Sequence, residues 1–205
     1  MSLKITVKVS EINNLSDARY CAGMGVDMIG FSLDENHPKF IEISKVMEIS
    51  NWISGIKVVG EFTGNNVQNI NYLSEQLNLD YVQLDHKNFN IDLLTDIKKS
   101  IILKVEPVIS SKEEIQELPE TVKNKIEYLL FQIDELTLEN LQMIKNIKGD
   151  LPIILSAPFN LQELDLIINE LKPEGINLIG GSEIKPGLKD FTELSEILEY
   201  LEESN

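Results

Sequence analysis

Cysteine, histidine and tryptophan are nearly missing from this chain: it has one cysteine, two histidines and one tryptophan in 205 residues. A lone cysteine excludes an internal disulfide, and with two histidines it leaves no zinc site of the usual ligand spacing, so no metal and no cofactor is expected. Basic side chains are scarce too, 18 against 34 acidic ones, and the formal charge of −16 repels the phosphate backbone of nucleic acid and the anionic face of a membrane. Much of that acid falls at helix-like spacing (Glu113, Glu114, Glu117, Glu120; Glu193, Glu196, Glu199), where a solvated face is the plain reading. No apolar run approaches the ~20 residues that span a bilayer, and the first residues lack the charged-then-apolar order of a signal peptide. The cytoplasm is the expected location. Without linkers, low-complexity tracts or internal repeats, residues 1–205 read as one domain.

What the chain does have is 42% hydrophobic and 25% charged residues, enough to bury a full core. Runs rich in Val, Ile, Leu and Phe recur at 4–10, 27–33, 57–63, 81–85, 101–108, 128–133, 152–157 and 176–181, with helix-like segments between them. Asn14-Leu15-Ser16-Asp17 offers an N-cap for a helix over 16–24, whose Cys21 reads as a buried structural thiol. Ile70, Leu73 and Leu77 share one face of a helix over 66–77, and Leu194, Ile197, Leu198 and Leu201 share one face of a last helix over 191–202. Eight such units with right-handed crossovers predict a single-domain α/β fold, a (β/α)8 TIM barrel of eight parallel strands. An open doubly wound sheet is the alternative.

In a barrel the site lies at the carboxyl ends of the strands. There the sequence delivers Lys8, Ser10 and Glu11; Glu61 and Thr63; Gln83 and Asp85; Lys104 and Glu106; Gln132 and Asp134; and Ser182 and Glu183. The pairs Lys8 with Ser10, Gln83 with Asp85, Lys104 with Glu106 and Gln132 with Asp134 are two residues apart, so each projects to one face of its strand. Polar groups in apolar strands cost free energy unless paired or near water. Ion pairing within the lumen and a ligand site both answer that requirement.

Several segments together resemble the phosphoribosylanthranilate isomerase family of tryptophan biosynthesis over nearly the whole chain. Val7-Lys8-Val9-Ser10-Glu11-Ile12 is similar to that family's Val-Lys-Ile-Cys-Gly-Ile, and Asn14 to Ala18 to its Asn-x-x-Asp-Ala helix start. Gly25-Val26-Asp27-Met28-Ile29-Gly30-Phe31 resembles Gly-Ala-Asp-x-x-Gly-Phe, and His37-Pro38-Lys39-Phe40-Ile41 stands where the family has Ser-Pro-Arg-Tyr-Val. Val59-Gly60-Glu61-Phe62, Tyr81-Val82-Gln83-Leu84-Asp85, Pro152 to Ser156, and Gly181-Ser182-Glu183 with Lys185 to Asp190 follow in the family's order.

The resemblance implies an Amadori rearrangement of an aminoaldose phosphate, in which an aspartic acid protonates the ring oxygen and a cysteine removes a carbon-bound proton. Ser10 stands at the cysteine, and an unactivated hydroxyl has too high a pKa for that role. Phe131 is expected at the acid's place, with Asp134 as a substitute three residues on. Ala157-Pro158-Phe159 replaces a glycine loop whose amides meet the phosphate, proline having no amide hydrogen. Gly180, Gly181 and Ser182 keep half of such a nest, and Lys39 keeps the arginine's charge without its fork. Glu11 and Glu61 add negative charge at the mouth.

The expected function is a barrel of this family without efficient isomerase activity that keeps a small-molecule site. The alternatives are an active isomerase with substituted carboxylates and a scaffold that binds a partner protein. Candidate catalytic residues are Ser10, Glu11, Glu106 and Asp134; candidate ligand-binding residues are Lys8, Lys39, Gln83, Asp85, Lys104, Gly180, Gly181 and Ser182. The ligand class implied is a sugar phosphate, although the acidic strand ends Glu11, Glu61, Asp85, Glu106 and Asp134 suit a divalent cation or a cationic or polyhydroxylated ligand better. Monomer and homodimer are both open.

Overall fold

Buried parallel strands need apolar side chains on both faces, which is why the eight apolar runs reappear as strands. The computed structural model describes residues 2–64, 66–180, 183–185, 188–189 and 191–202. β1 (Thr6–Ser10), β2 (Met28–Ser32), β3 (Lys57–Phe62), β4 (Tyr81–Asp85), β5 (Ser100–Val105), β6 (Ile126–Gln132), β7 (Ile153–Ser156) and β8 (Gly175–Ile179) pair in sequence order and close into a barrel. The open-sheet alternative is thereby corrected: β8 pairs with β1 along five residues, Thr6 with Gly175 through Ser10 with Ile179. The β1–β2 register, by contrast, spans only Lys8 with Met28 and Val9 with Ile29.

The crossovers are α1 (Leu15–Gly23), α2 (Ile43–Trp52), α3 (Val67–Gln76), α4 (Ile109–Gln116) with the short α5 (Glu120–Lys123), α6 (Leu138–Ile147) and α7 (Leu161–Glu170), and α8 (Thr192–Leu201) follows β8. Asn14 caps α1 as its position predicts, accepting from Asp17 N at 2.9 Å, and Asn66 caps α3 in the same way. Between β4 and β5 only a 3-10 segment, Ile91–Asp96, forms; Asn90 accepts from Asp92 N, the local side-chain bond that competes with a regular helix. A two-stranded antiparallel pair, β9 (Glu183–Lys185) with β10 (Leu188–Lys189), precedes α8.

Strand alternation divides the interior in two. Outward-facing residues such as Val7, Val9, Ile29, Phe31, Leu84, Leu103, Phe131 and Leu155 pack against the helices, and Cys21 is buried there. Met28, Val59, Ile102, Leu130 and Ile154 fill the lower lumen together with Tyr81 and Tyr128, whose rings meet edge to face at 6.3 Å. The lumen positions above this apolar floor are polar. Gly30, at the same level, has no side chain, and Gly175, where a Cβ would come within 2.6 Å of the Thr6 carbonyl oxygen, lets β8 and β1 approach closely at the seam.

Candidate functional site at the barrel mouth

Lys8 is among the largest fully buried side chains of the described residues, and its ammonium lies in the lumen with all three protons directed at acceptors: Ser10 Oγ at 2.5 Å, Glu61 Oε1 at 2.5 Å and Asn177 Oδ1 at 3.1 Å. Ser10 Oγ is 2.6 Å from Glu61 Oε1 and 2.8 Å from Asn177 Oδ1, with one proton to give. Asn177 Nδ2 donates to Ser156 Oγ at 3.1 Å, so β1, β3, β7 and β8 are joined across the barrel. β2 stands between Lys8 and Glu61, and the ion pair crosses it at Gly30, where a Cβ would lie 2.0 Å from Glu61 Oε1.

Burial alone would raise the pKa of Glu61, but the charge of Lys8, the hydrogen bonds from Lys8 and Ser10, and the Glu11 amide together hold it below the ordinary carboxylate value. Burial pushes the pKa of Lys8 down, opposed by Glu61. Glu61 is thus an ionised, neutralised wall of the lumen, and the extra mouth charge expected from it is cancelled by Lys8. Its lowered pKa also makes it a weak base toward the Ser10 hydroxyl.

Above this network opens a cavity of about 280 Å³ lined by residues from every strand, including Ser10, Glu11, Ser32, Gln83, Asp85, Lys104, Gln132 and Ser156. Gln83 and Asp85 share the lumen face as their spacing predicts, and Lys104 stands beside Asp85 in register. Gln83 Oε1 is buried without a hydrogen-bond partner, and Lys104 Nζ has none among the described residues. Glu11 follows β1 with φ +61°, the left-handed region, at the position where the resembling family has glycine.

Three expectations about strand ends need correction. β6 turns Phe131 outward into the core, fully buried, and brings Gln132 to the mouth, so the side chain that the end of Leu129-Leu130-Phe131-Gln132 presents to the lumen is Gln132 and not Phe131. A glutamine amide has no proton to give as a general acid. β5 stops at Val105, so Glu106 lies beyond the alternation and pairs with Lys87 at the exposed rim. β6 stops at Gln132, and Asp134 lines a second cavity of about 730 Å³ beside Ala157, Pro158, Phe159 and Glu193, which adjoins the central one through Gln132, Ser156, Asn177 and Ile179.

Two of the expected phosphate contacts, Gly180 and Lys39, are engaged or placed elsewhere. Gly180 donates its amide to the Ser10 carbonyl at 3.1 Å, continuing the β8–β1 ladder, so it is not free to face a ligand. Gly181 and Ser182 lie outside the described residues. Lys39 is exposed and does not line the central cavity, where the nearby His37 does. The N-terminus of α7 is capped by Asn160, which accepts from Glu163 N, and both α7 and α8 carry a glutamate in their first turn, Glu163 and Glu193. No group of three or more His, Cys, Asp or Glu side chains among the described residues converges to hold a metal ion, so the acidic strand ends do not form the cation site that their number suggests.

His37, Ser32, Asn177 and Ser156 reach the mouth without having been singled out. Asn177 was detectable, since it is a polar residue inside an apolar strand just as Lys8 is. Asp34 was missed as well: it accepts from Thr63 N, Thr63 Oγ1 and Gly64 N and so shapes the loop after β3.

Closed strand order and polar groups gathered at the strands' carboxyl ends define the class, a (β/α)8 barrel with its site at the mouth. No family model matches the chain. It is 26% identical over 196 residues to the N-(5'-phosphoribosyl)anthranilate isomerase of Chloroherpeton thalassium, covering 90% of both proteins, and 27% identical over 208 residues to that of Petrotoga mobilis, covering 96% of this chain and 97% of the relative. Among solved structures it superimposes on phosphoribosylanthranilate isomerase from Thermus thermophilus with a TM-score of 0.78 at 19% identity, covering 96% of this chain and 98% of that one. The same enzyme from Thermotoga maritima gives 0.74 at 23% identity, with the same coverage of both chains. The resemblance read in the sequence holds: the chain is a divergent homologue of proteins named phosphoribosylanthranilate isomerase.

Proposed function

We propose that this barrel has lost efficient Amadori isomerisation and keeps its mouth as a small-molecule site. The observation that carries the proposal is the pair of groups presented at the two catalytic positions: a serine hydroxyl tied to Lys8, Glu61 and Asn177, and the neutral amide of Gln132. Such a rearrangement needs one group to protonate the ring oxygen and another to take the proton from carbon. Loss of either costs on the order of 10²- to 10⁴-fold. Substituted carboxylates offer poor cover, since Glu106 is paired at the rim and Asp134 lines the adjoining cavity, beyond Gln132, and not the central one that Glu11 lines. One homologous structure holds reduced 1-(o-carboxyphenylamino)-1-deoxyribulose 5-phosphate, a ligand whose phosphate has no evident cradle among the described residues.

Following the fluorescence loss of phosphoribosylanthranilate in the presence of the purified chain tests this. Turnover below ~10⁻² s⁻¹ is expected, and turnover near ~1 s⁻¹, within the ordinary enzyme range, overturns it.

A further inference from the structure

Resting on that reading, we infer that the central mouth is built for a neutral polyhydroxylated ligand without a phosphate, of the size of a pentose or pentitol. Size is the first constraint. At ~30 Å³ for each water's share of liquid, the central space of about 280 Å³ has room for about nine waters, which is a ligand of roughly ten non-hydrogen atoms; anything longer extends past Gln132, Ser156, Asn177 and Ile179 into the adjoining cavity at the β7–β8 end.

Charge is the second constraint. The carboxylates of Glu11 and Asp85 and the ammonium of Lys104 face this cavity, while Lys8 and Glu61 neutralise one another beneath it, so the lining is net negative. A phosphate dianion would meet one cation and two carboxylates. The helix N-termini at the β7–β8 end carry Glu163 and Glu193 in their first turns, the Gly180 amide is spent on Ser10, and Pro158 has no amide to offer.

Hydrogen-bonding capacity is the third. Gln83 Oε1 is a buried acceptor awaiting a donor, Lys104 and the Ser156 hydroxyl have protons to give, and Gln132 and Asp85 add an amide and a carboxylate around the same space. A hydroxyl both donates and accepts, so a polyol satisfies this mixed set where an anion or a cation would satisfy half of it. An unmatched buried acceptor is costly in the empty site and is answered on binding.

Calorimetric titration of the full chain with D-ribose, ribitol, D-ribose 5-phosphate and inorganic phosphate tests the inference. Saturable binding of ribose or ribitol is expected, at least tenfold tighter than ribose 5-phosphate. Lys104→Met should weaken it at least tenfold, and Gln83→Leu should abolish it while raising the melting temperature of the ligand-free protein. Tighter binding of ribose 5-phosphate or phosphate, or no binding of either neutral probe, overturns the inference. The two readings fail separately: isomerase turnover overturns the loss of the reaction, whereas an inactive protein that ignores both polyols or prefers phosphate overturns the ligand class alone.

Discussion

The carboxylate of Glu61 occupies the space that a side chain at Gly30 would need. A Cβ there would stand 2.0 Å from Glu61 Oε1 and 3.1 Å from Lys8 Nζ. Gly30→Ala must therefore push the carboxylate off the ammonium or bend β2, and a loss of ~2–3 kcal/mol is expected from overpacking and the disturbed pair. Urea unfolding monitored by Trp52 fluorescence measures it; an unchanged midpoint would show that the pair does not cross β2 at this point.

Breaking the ion pair from one side should cost more than removing it. Glu61→Gln leaves the Lys8 ammonium buried without its counter-charge, for an expected loss of ~3–5 kcal/mol, whereas Lys8→Met combined with Glu61→Leu should lie closer to the native protein. A double-mutant cycle by urea unfolding reads the coupling, and strictly additive losses would mean that the two side chains do not act as a pair.

Acid should weaken the fold through the same contact. Glu61 has a folded pKa below its ordinary 4.5, so the stability it contributes is present above that value and is lost as pH falls through the lowered pKa. Lys8, whose pKa burial lowers from 10.5, acts between its lowered value and 10.5, where the unfolded chain holds the proton longer and stability rises with pH on its account. Unfolding midpoints at pH 7, 4 and 3 should fall more steeply for the native protein than for the Lys8→Met/Glu61→Leu variant; parallel curves would assign the acid loss to other carboxylates.

Glu11→Gly should stabilise the barrel by ~1 kcal/mol, because the left-handed φ of +61° is strained for a residue with a Cβ and free for glycine. Thermal unfolding decides it, and a drop in melting temperature would mean that the Glu11 side chain contributes more than its backbone costs.

Returning the two catalytic groups should return part of the reaction. Ser10→Cys with Gln132→Asp is expected to raise isomerase turnover at least ~10²-fold over the native protein, with a high KM for lack of a phosphate cradle. The control Ser10→Cys with Phe131→Asp should gain nothing, since position 131 points into the core. Equal gains from both variants would contradict the strand register.

The strands were legible because parallel strands covered on both faces leave continuous apolar runs, and all eight fall within a few residues of their expected bounds. The site was legible only while alternation lasted. Gln83 and Asp85 both lie inside β4 and share a face, whereas Glu106 and Asp134 lie past the ends of β5 and β6, where a two-residue spacing no longer fixes direction. Lys8 announced itself as a charge in an apolar strand, but its partner did not. Glu61 reaches it from two strands away because position 30 has no side chain, a contact made by the closed sheet and by no local pattern. Phe131 and Gln132 are neighbours, and that one residue is enough to exchange core for lumen.

The seam between the first and last strands also bears on how the protein comes into being. Lys8 and Ser10 complete their network with Asn177, 169 and 167 residues further along. A chain emerging from the ribosome N-terminus first therefore has β1 waiting, paired over only two residues with β2, until β8 has been synthesised. Desolvating the lysine before that moment would leave an acceptor missing, so barrel closure and completion of the polar floor belong to one late, high-contact-order step.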